Sequence, residues 1–177
     1  MSKIILVEGP DCSGKTTICN SIVDNFNFKC LHLSKLKDNQ SVDEFYINFI
    51  DNLKIQKQNN MNIVLDRAYI SNIIYSTVFK QDETISRYLM DELKKLIDII
   101  ILCIPDKDKY ITHFNNIKNQ RFELYDNMND IYDLYYDLYY NSSSKLKYTI
   151  DNCNVILFNM YNIKDMESFI KEIVNND

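Results

Sequence analysis

The chain has 177 residues, 46% of them hydrophobic and 25% charged, a balance that supplies a core and excludes a disordered chain. Its length fits one domain spanning 1–177. A formal net charge of -5 and a pI of 5.1 exclude the basic stripe of a nucleic-acid binder, so any positive charge that matters must be local.

In chain order, Met1 leads directly into a β-branched stretch over 3–7, without the charged and apolar regions of an export signal. A glycine turn follows, and 15–26 sets Ile18, Ile22, Val23 and Phe26 at helical spacing. A second short strand over 30–33 precedes a helix over 42–57, with Phe45, Phe49 and Leu53 on one face. A third strand over 62–65, helices over 71–79 and 85–96, and a fourth strand over 98–104 follow, the last stopped by Pro105. That last apolar run is far shorter than the roughly 20 residues that cross a bilayer. The stretch 107–151 is rich in Tyr, Asn and Asp, and its tyrosine run over 131–140 reads as an amphipathic helix resting rings on the sheet, base stacking being the other reading. A strand over 154–158 and a helix over 165–174 close the chain.

Short apolar strands alternating with helices specify an α/β fold, a parallel sheet of five strands with helices on both faces, because parallel crossovers need such connections. The five cysteines, Cys12, Cys19, Cys30, Cys103 and Cys153, show neither CxxC spacing nor an even count. Neither a zinc site nor a disulfide framework is expected, and a reducing cytoplasm fits best.

The first turn carries the chemistry. Gly9-Pro10-Asp11-Cys12-Ser13-Gly14-Lys15-Thr16 matches G-x-x-x-x-G-K-[ST] and sits between a strand and a helix, the context that loop requires. Only two glycines occur in the chain, and both are here. A Cβ at either would obstruct the sharp turn and the approach of backbone N–H groups to phosphate oxygens. The cradle is expected to run from Gly9 through Asp11, Cys12, Ser13, Gly14, Lys15 and Thr16 to Thr17. Lys15 neutralises the β- and γ-phosphates of ATP at the positive end of the helix, and the Thr16 hydroxyl meets Mg2+.

A phosphate loop alone leaves GTPases, ATPases, motors and small-molecule kinases open. The segment Leu65-Asp66-Arg67-Ala68-Tyr69-Ile70-Ser71, continuing to Ile74-Tyr75-Ser76, resembles the thymidylate kinase signature D-R-Y-x-x-S-x-x-A-Y-Q, with Asp66, Arg67, Ser71 and Tyr75 in register and Ala68, Ile74 and Ser76 departing from it. The loop EGPDCSGKTT resembles that family's loop as well. Short chains rich in Asn, Ile, Tyr and Lys are similar to virus- and phage-encoded deoxynucleoside monophosphate kinases.

The resemblance implies a P-loop three-layer fold with strand order 2-3-1-4-5, use of ATP and Mg2+, and transfer of the γ-phosphoryl group to a deoxynucleoside monophosphate resembling dTMP. It implies that Asp11 contacts the acceptor sugar, that Arg67 grips the acceptor phosphate with Ser71 beside it, and that Asp66 holds the metal with Thr16; Tyr69 and Phe45 read either as an aromatic wall for the base or as core. It places a lid around 115–128, with Arg121, ahead of Lys118, as the cation that closes over the triphosphate. The family is commonly dimeric, so a homodimer is the assembly implied. Ser76 stands where the family's base-reading glutamine would be, so the base stays open.

A planar guanidinium suits phosphate, and the chain has three arginines, Arg67, Arg87 and Arg121. Deoxynucleoside kinases are the nearest competing enzymes. A neutral hydroxyl acceptor needs a carboxylate base, which those kinases carry after the second strand. Here His32-Leu33-Ser34-Lys35-Leu36-Lys37 precedes the first carboxylate, Asp38. That favours a phosphate-bearing acceptor, with Lys35 or Lys37 as a second phosphate ligand. The expected partners are small nucleotides, with neither a nucleic-acid polymer nor a membrane. A nucleotide-binding regulatory or assembly protein without fast transfer is the reading of another class.

Overall fold

The computed structural model describes residues 2–33, 40–81, 83–118, 127–163 and 165–175. In chain order the elements are β1 (Ile4–Glu8), α1 (Lys15–Phe26), β2 (Lys29–His32), α2 (Val42–Gln58), β3 (Ile63–Asp66), α3 (Tyr69–Phe79), α4 (Arg87–Leu96), β4 (Ile99–Cys103), α5 (Lys107–Lys118), α6 (Met128–Tyr140), a 3-10 turn (Lys147–Thr149), β5 (Val155–Phe158) and α7 (Met166–Asn175).

The strands form one five-stranded sheet in the order β2-β3-β1-β4-β5, all pairs parallel, as the sequence led us to expect. Every residue of β1 and β4 is buried, whereas the edge strand β2 is mostly exposed. Central strands have both faces covered, and so read as continuous apolar runs.

Alternate residues feed two separate cores. Ile4, Leu6, Ile63, Leu65, Ile100 and Leu102 face α2, α3, α4 and α6. Ile5, Val7, Val64, Ile99 and Ile101 face the layer of α1 and α7, where Ile18, Ile22, Ile170 and Ile173 meet them. The tyrosine run forms α6 with Ile131, Tyr132, Tyr135 and Leu138 buried, while Tyr136 and Tyr140 remain outside. Among the described residues no helix is long and apolar enough to cross a membrane.

Two regions depart from the sequence reading or escape it. Helix α5 occupies 107–118, where periodicity assigns nothing: among its described side chains only Tyr110 and Phe114 are buried, too few to mark an apolar stripe. The expected lid falls largely on 119–126, and Arg121 lies outside the described residues, as does Lys35.

Candidate functional site

The carboxyl ends of β1 and β3 bring the site together. At the end of β1 the chain turns through Gly9 (φ 150) and Cys12 (φ 62) to Gly14 (φ 92). A Cβ on Gly9 would lie 2.4 Å from the Cys103 carbonyl oxygen and 2.8 Å from Ser13 Oγ. One on Gly14 would meet Met160 and Phe158 at 3.2 Å. The glycines are therefore fixed by both conformation and space.

Gly14 caps α1 without a side-chain hydrogen bond, and the first turn holds no acidic residue. The leading N–H groups and the positive helix end are thus left for an anion. Helix α2 differs: the Ser41 hydroxyl accepts from Glu44 N, and Asp43 and Glu44 sit in its first turn. The Ser13 hydroxyl is buried in the loop with no hydrogen-bond partner among the described residues.

Lys15 is 6% exposed and its Nζ donates to the Pro10 carbonyl at 2.5 Å, which curls the side chain back over the loop. Burial pushes its ammonium pKa below the ordinary value, opposed by the Asp66 and Glu8 carboxylates. Burial likewise pushes the Cys103 thiol up to about 12, so that sulfur remains a neutral wall beneath the loop. Thr16 and Thr17 are exposed on the first turn of α1.

Asp66 closes β3. Its Oδ2 lies 3.1 Å from His32 Nδ1 on β2. Its Oδ1 is buried without a hydrogen-bond partner among the described residues. An orphaned carboxylate oxygen is rare in a folded chain unless a cation or ordered water takes it up, so the donor set fits Mg2+ shared with phosphate oxygens. No group of three or more His, Cys, Asp or Glu residues among the described ones would hold a metal by itself.

Arg67 has the left-handed φ of 72, and its Nη2 pairs with Asp11 Oδ1 on the phosphate loop. Its guanidinium carbon lies 5.2 Å from the Tyr75 ring centroid, a cation–π contact. Burial opposes the charge, yet the Tyr75 and Tyr135 hydroxyls and Glu8 outweigh it and the pKa is raised. The cation is secure, and it faces the loop that cradles phosphate.

Two residues expected near the acceptor are engaged within the fold. Tyr69 is fully buried and its hydroxyl donates to the Thr149 carbonyl at 2.8 Å, which makes it a core residue. Ser71 is buried, with its hydroxyl engaged by Glu8 and by Tyr135 at 2.8 Å. Both residues belong to the buried side of α3.

Sequence reasoning missed Glu8. The only available signal was an acid ending an otherwise apolar strand. Its carboxylate is fully buried, with Oε1 accepting from Ala68 N at 2.7 Å and Ser71 N at 3.2 Å, and Oε2 accepting from the Ser71 hydroxyl and from the Tyr135 hydroxyl at 3.0 Å.

No protein-family model matches the chain. Over 126 residues it is 21% identical to the "Putative thymidylate kinase" of Acidianus bottle-shaped virus (isolate Italy/Pozzuoli), covering 67% of this chain and 81% of that protein. Its fold matches YorR protein of Bacillus subtilis, solved with phosphorylated GDP, with a TM-score of 0.71 at 16% identity over 97% of this chain and 94% of the other. Deoxyadenosine kinase of M. mycoides with bound dATP gives 0.60 at 15% identity, covering 98% and 100%. Thymidylate kinase of Ehrlichia chaffeensis gives 0.53 at 19% identity, covering 98% and 96%.

The sheet order, the phosphate loop and these neighbours define a protein with the P-loop nucleotide-kinase fold. Within that class the chain is thymidylate-kinase-like, by its D-R-A-Y-I-S segment and by the viral relative.

Proposed function

We propose that this protein transfers the γ-phosphoryl group of ATP to the phosphate of a deoxynucleoside monophosphate, giving the diphosphate. The observation that carries the reading is the placement of Arg67: a half-buried guanidinium at the end of β3, paired with Asp11 of the phosphate loop. Two phosphate-binding elements thus face one another, the amides and Lys15 for the donor and Arg67 for the acceptor. A phosphate acceptor is already an anionic nucleophile and needs cations where a hydroxyl would need a base.

In this reading the loop from Gly9 to Thr17 holds the polyphosphate, and Lys15 leaves the Pro10 carbonyl to meet the β- and γ-oxygens. Thr16 and Asp66 would hold Mg2+, whose charge would offset the negative charge that develops during transfer. Arg67 exchanges Asp11 for the acceptor phosphate, which frees Asp11 for the acceptor sugar. Catalysis is then positioning and electrostatic stabilisation, with no covalent enzyme intermediate. Arg121 closing from a lid, Lys35 as a second phosphate ligand and a homodimer complete the proposal from the sequence.

The test is ADP release measured with dTMP, dUMP, dCMP, dGMP, dAMP and thymidine in turn. Turnover stimulated by one or more monophosphates is the expected outcome. Stimulation by thymidine alone would assign a deoxynucleoside kinase, the broader class to which a deoxyadenosine kinase such as the M. mycoides neighbour belongs. Nucleotide binding without acceptor-stimulated turnover would assign a binding module.

A further inference from the structure

We propose that Glu8 is the positioning residue for Arg67, setting the acceptor-side guanidinium from the strand that also launches the phosphate loop. The inference rests on the acceptor role given to Arg67 above.

The local sequence cannot hold this corner by itself. Helix α3 begins after Ala68, which has no side chain able to cap, and Ala68 adopts the unusual φ -157, ψ -127. In an ordinary capping box the residue before the helix accepts from the N–H three positions on. Here Glu8 does so from 63 positions away, taking Ser71 N and also Ala68 N on the same oxygen. The carboxylate completes the cap that the sequence around 68 lacks and places negative charge at the helix's positive end.

Arg67 is gripped from both sides by consecutive residues of β1. Its own N–H donates to the Val7 carbonyl at 3.0 Å, and the next N–H, that of Ala68, donates to Glu8. Between those anchors the backbone takes the left-handed φ of 72, which a non-glycine residue keeps only when its surroundings impose it. The second carboxylate oxygen engages Ser71 and Tyr135, so α6 is tied to the same point. All four donors converge on one fully buried group, and a buried acceptor deprived of its geometry disturbs every donor at once.

Steady-state kinetics of Glu8→Gln with dTMP and ATP varied separately, beside the wild type, provide the test. The amide keeps the shape but supplies one acceptor oxygen in place of two. The acceptor KM should rise about ten-fold with the ATP KM within about two-fold of wild type, because the hydrogen bonds lost all lie on the Arg67 side, whereas Lys15 loses only a charge it does not touch. Amide hydrogen exchange should quicken at 67–71 and remain unchanged along α1. A purely structural role would instead lower kcat with the folded fraction and leave both KM values alone; that result, or a wild-type acceptor KM, overturns the proposal. Should Glu8→Gln fail to fold, Ser71→Ala removes one donor and leaves both backbone bonds. It should raise the acceptor KM about three-fold, and an unchanged value again overturns the assignment. A wild-type protein inert toward every monophosphate overturns the acceptor reading itself, and the Glu8 role with it.

Discussion

The helices that open on either side of the site, α1 and α3, begin in opposite ways. Helix α1 starts after a glycine, with no capping side chain and no acid in its first turn. Helix α3 starts after an alanine and receives a buried carboxylate from β1. The same requirement, a negative group for exposed amides, is met by the chain itself in one case and left for a ligand in the other. One end is built to bind and the other to stay put, and the two lie at the carboxyl ends of adjacent strands, β1 and β3.

The strongest way to break the contrast is to remove the cation on the binding side. Lys15→Ala should lower acceptor-stimulated ADP release by about a thousand-fold or more without lowering the thermal midpoint, since a buried lysine is lost together with its desolvation penalty. Removing the cation on the fixed side should act on binding of the other substrate. Arg67→Ala is expected to raise the acceptor KM by about 10–100-fold, measured with ATP saturating, while the ATP KM stays near wild type.

A subtler variant would make α1 resemble α3. Thr17→Asp puts a carboxylate into the first turn of α1, where it should stabilise the helix by about 0.5 kcal/mol and weaken ATP about ten-fold. Urea denaturation and calorimetric titration would read the two opposed effects on one protein.

Alkaline pH gives a smaller effect. The Lys15 pKa is lowered in the folded chain from its ordinary 10.5, so between the two values the unfolded chain holds the extra proton and stability rises with pH. Buried thiols such as Cys103 work the other way above their ordinary range, so the measurement is a difference. Wild type minus Lys15→Met in urea midpoint should increase as pH climbs toward 10.5.

The sequence discloses the binding end better than the fixed end. A phosphate loop is contiguous, and its glycines, lysine and threonine answer to local geometry, so Gly9 to Thr16 can be read in one pass. The same holds for the strands, whose apolar runs differ sharply from their surroundings, and for α6, whose tyrosines repeat at helical spacing. The fixed end is assembled from residues 8, 67, 68, 71 and 135, and nothing in their spacing announces a shared hydrogen-bond centre. The hydrogen bonds that tie Ser71 and Tyr69 into the fold are equally silent in the sequence. Helix α5 was opaque for a different reason: Thr112, His113, Asn115 and Asn116 favour helix weakly, and tertiary packing of Tyr110 and Phe114 decides its state.

The scarcity of glycine reaches beyond the loop. With both copies spent at positions 9 and 14, other left-handed corners fall to side-chain-bearing residues, among them Asn27, Asn60 and Asn152, the type that tolerates them best, and also Lys80. Lys80 ends α3 at φ 51, an ordinary seat for glycine, and Lys80→Gly should raise the melting temperature by a few degrees, about 0.5–1 kcal/mol. At Arg67 the same relief would remove the guanidinium, so that corner keeps its torsional burden as the cost of having a charge there.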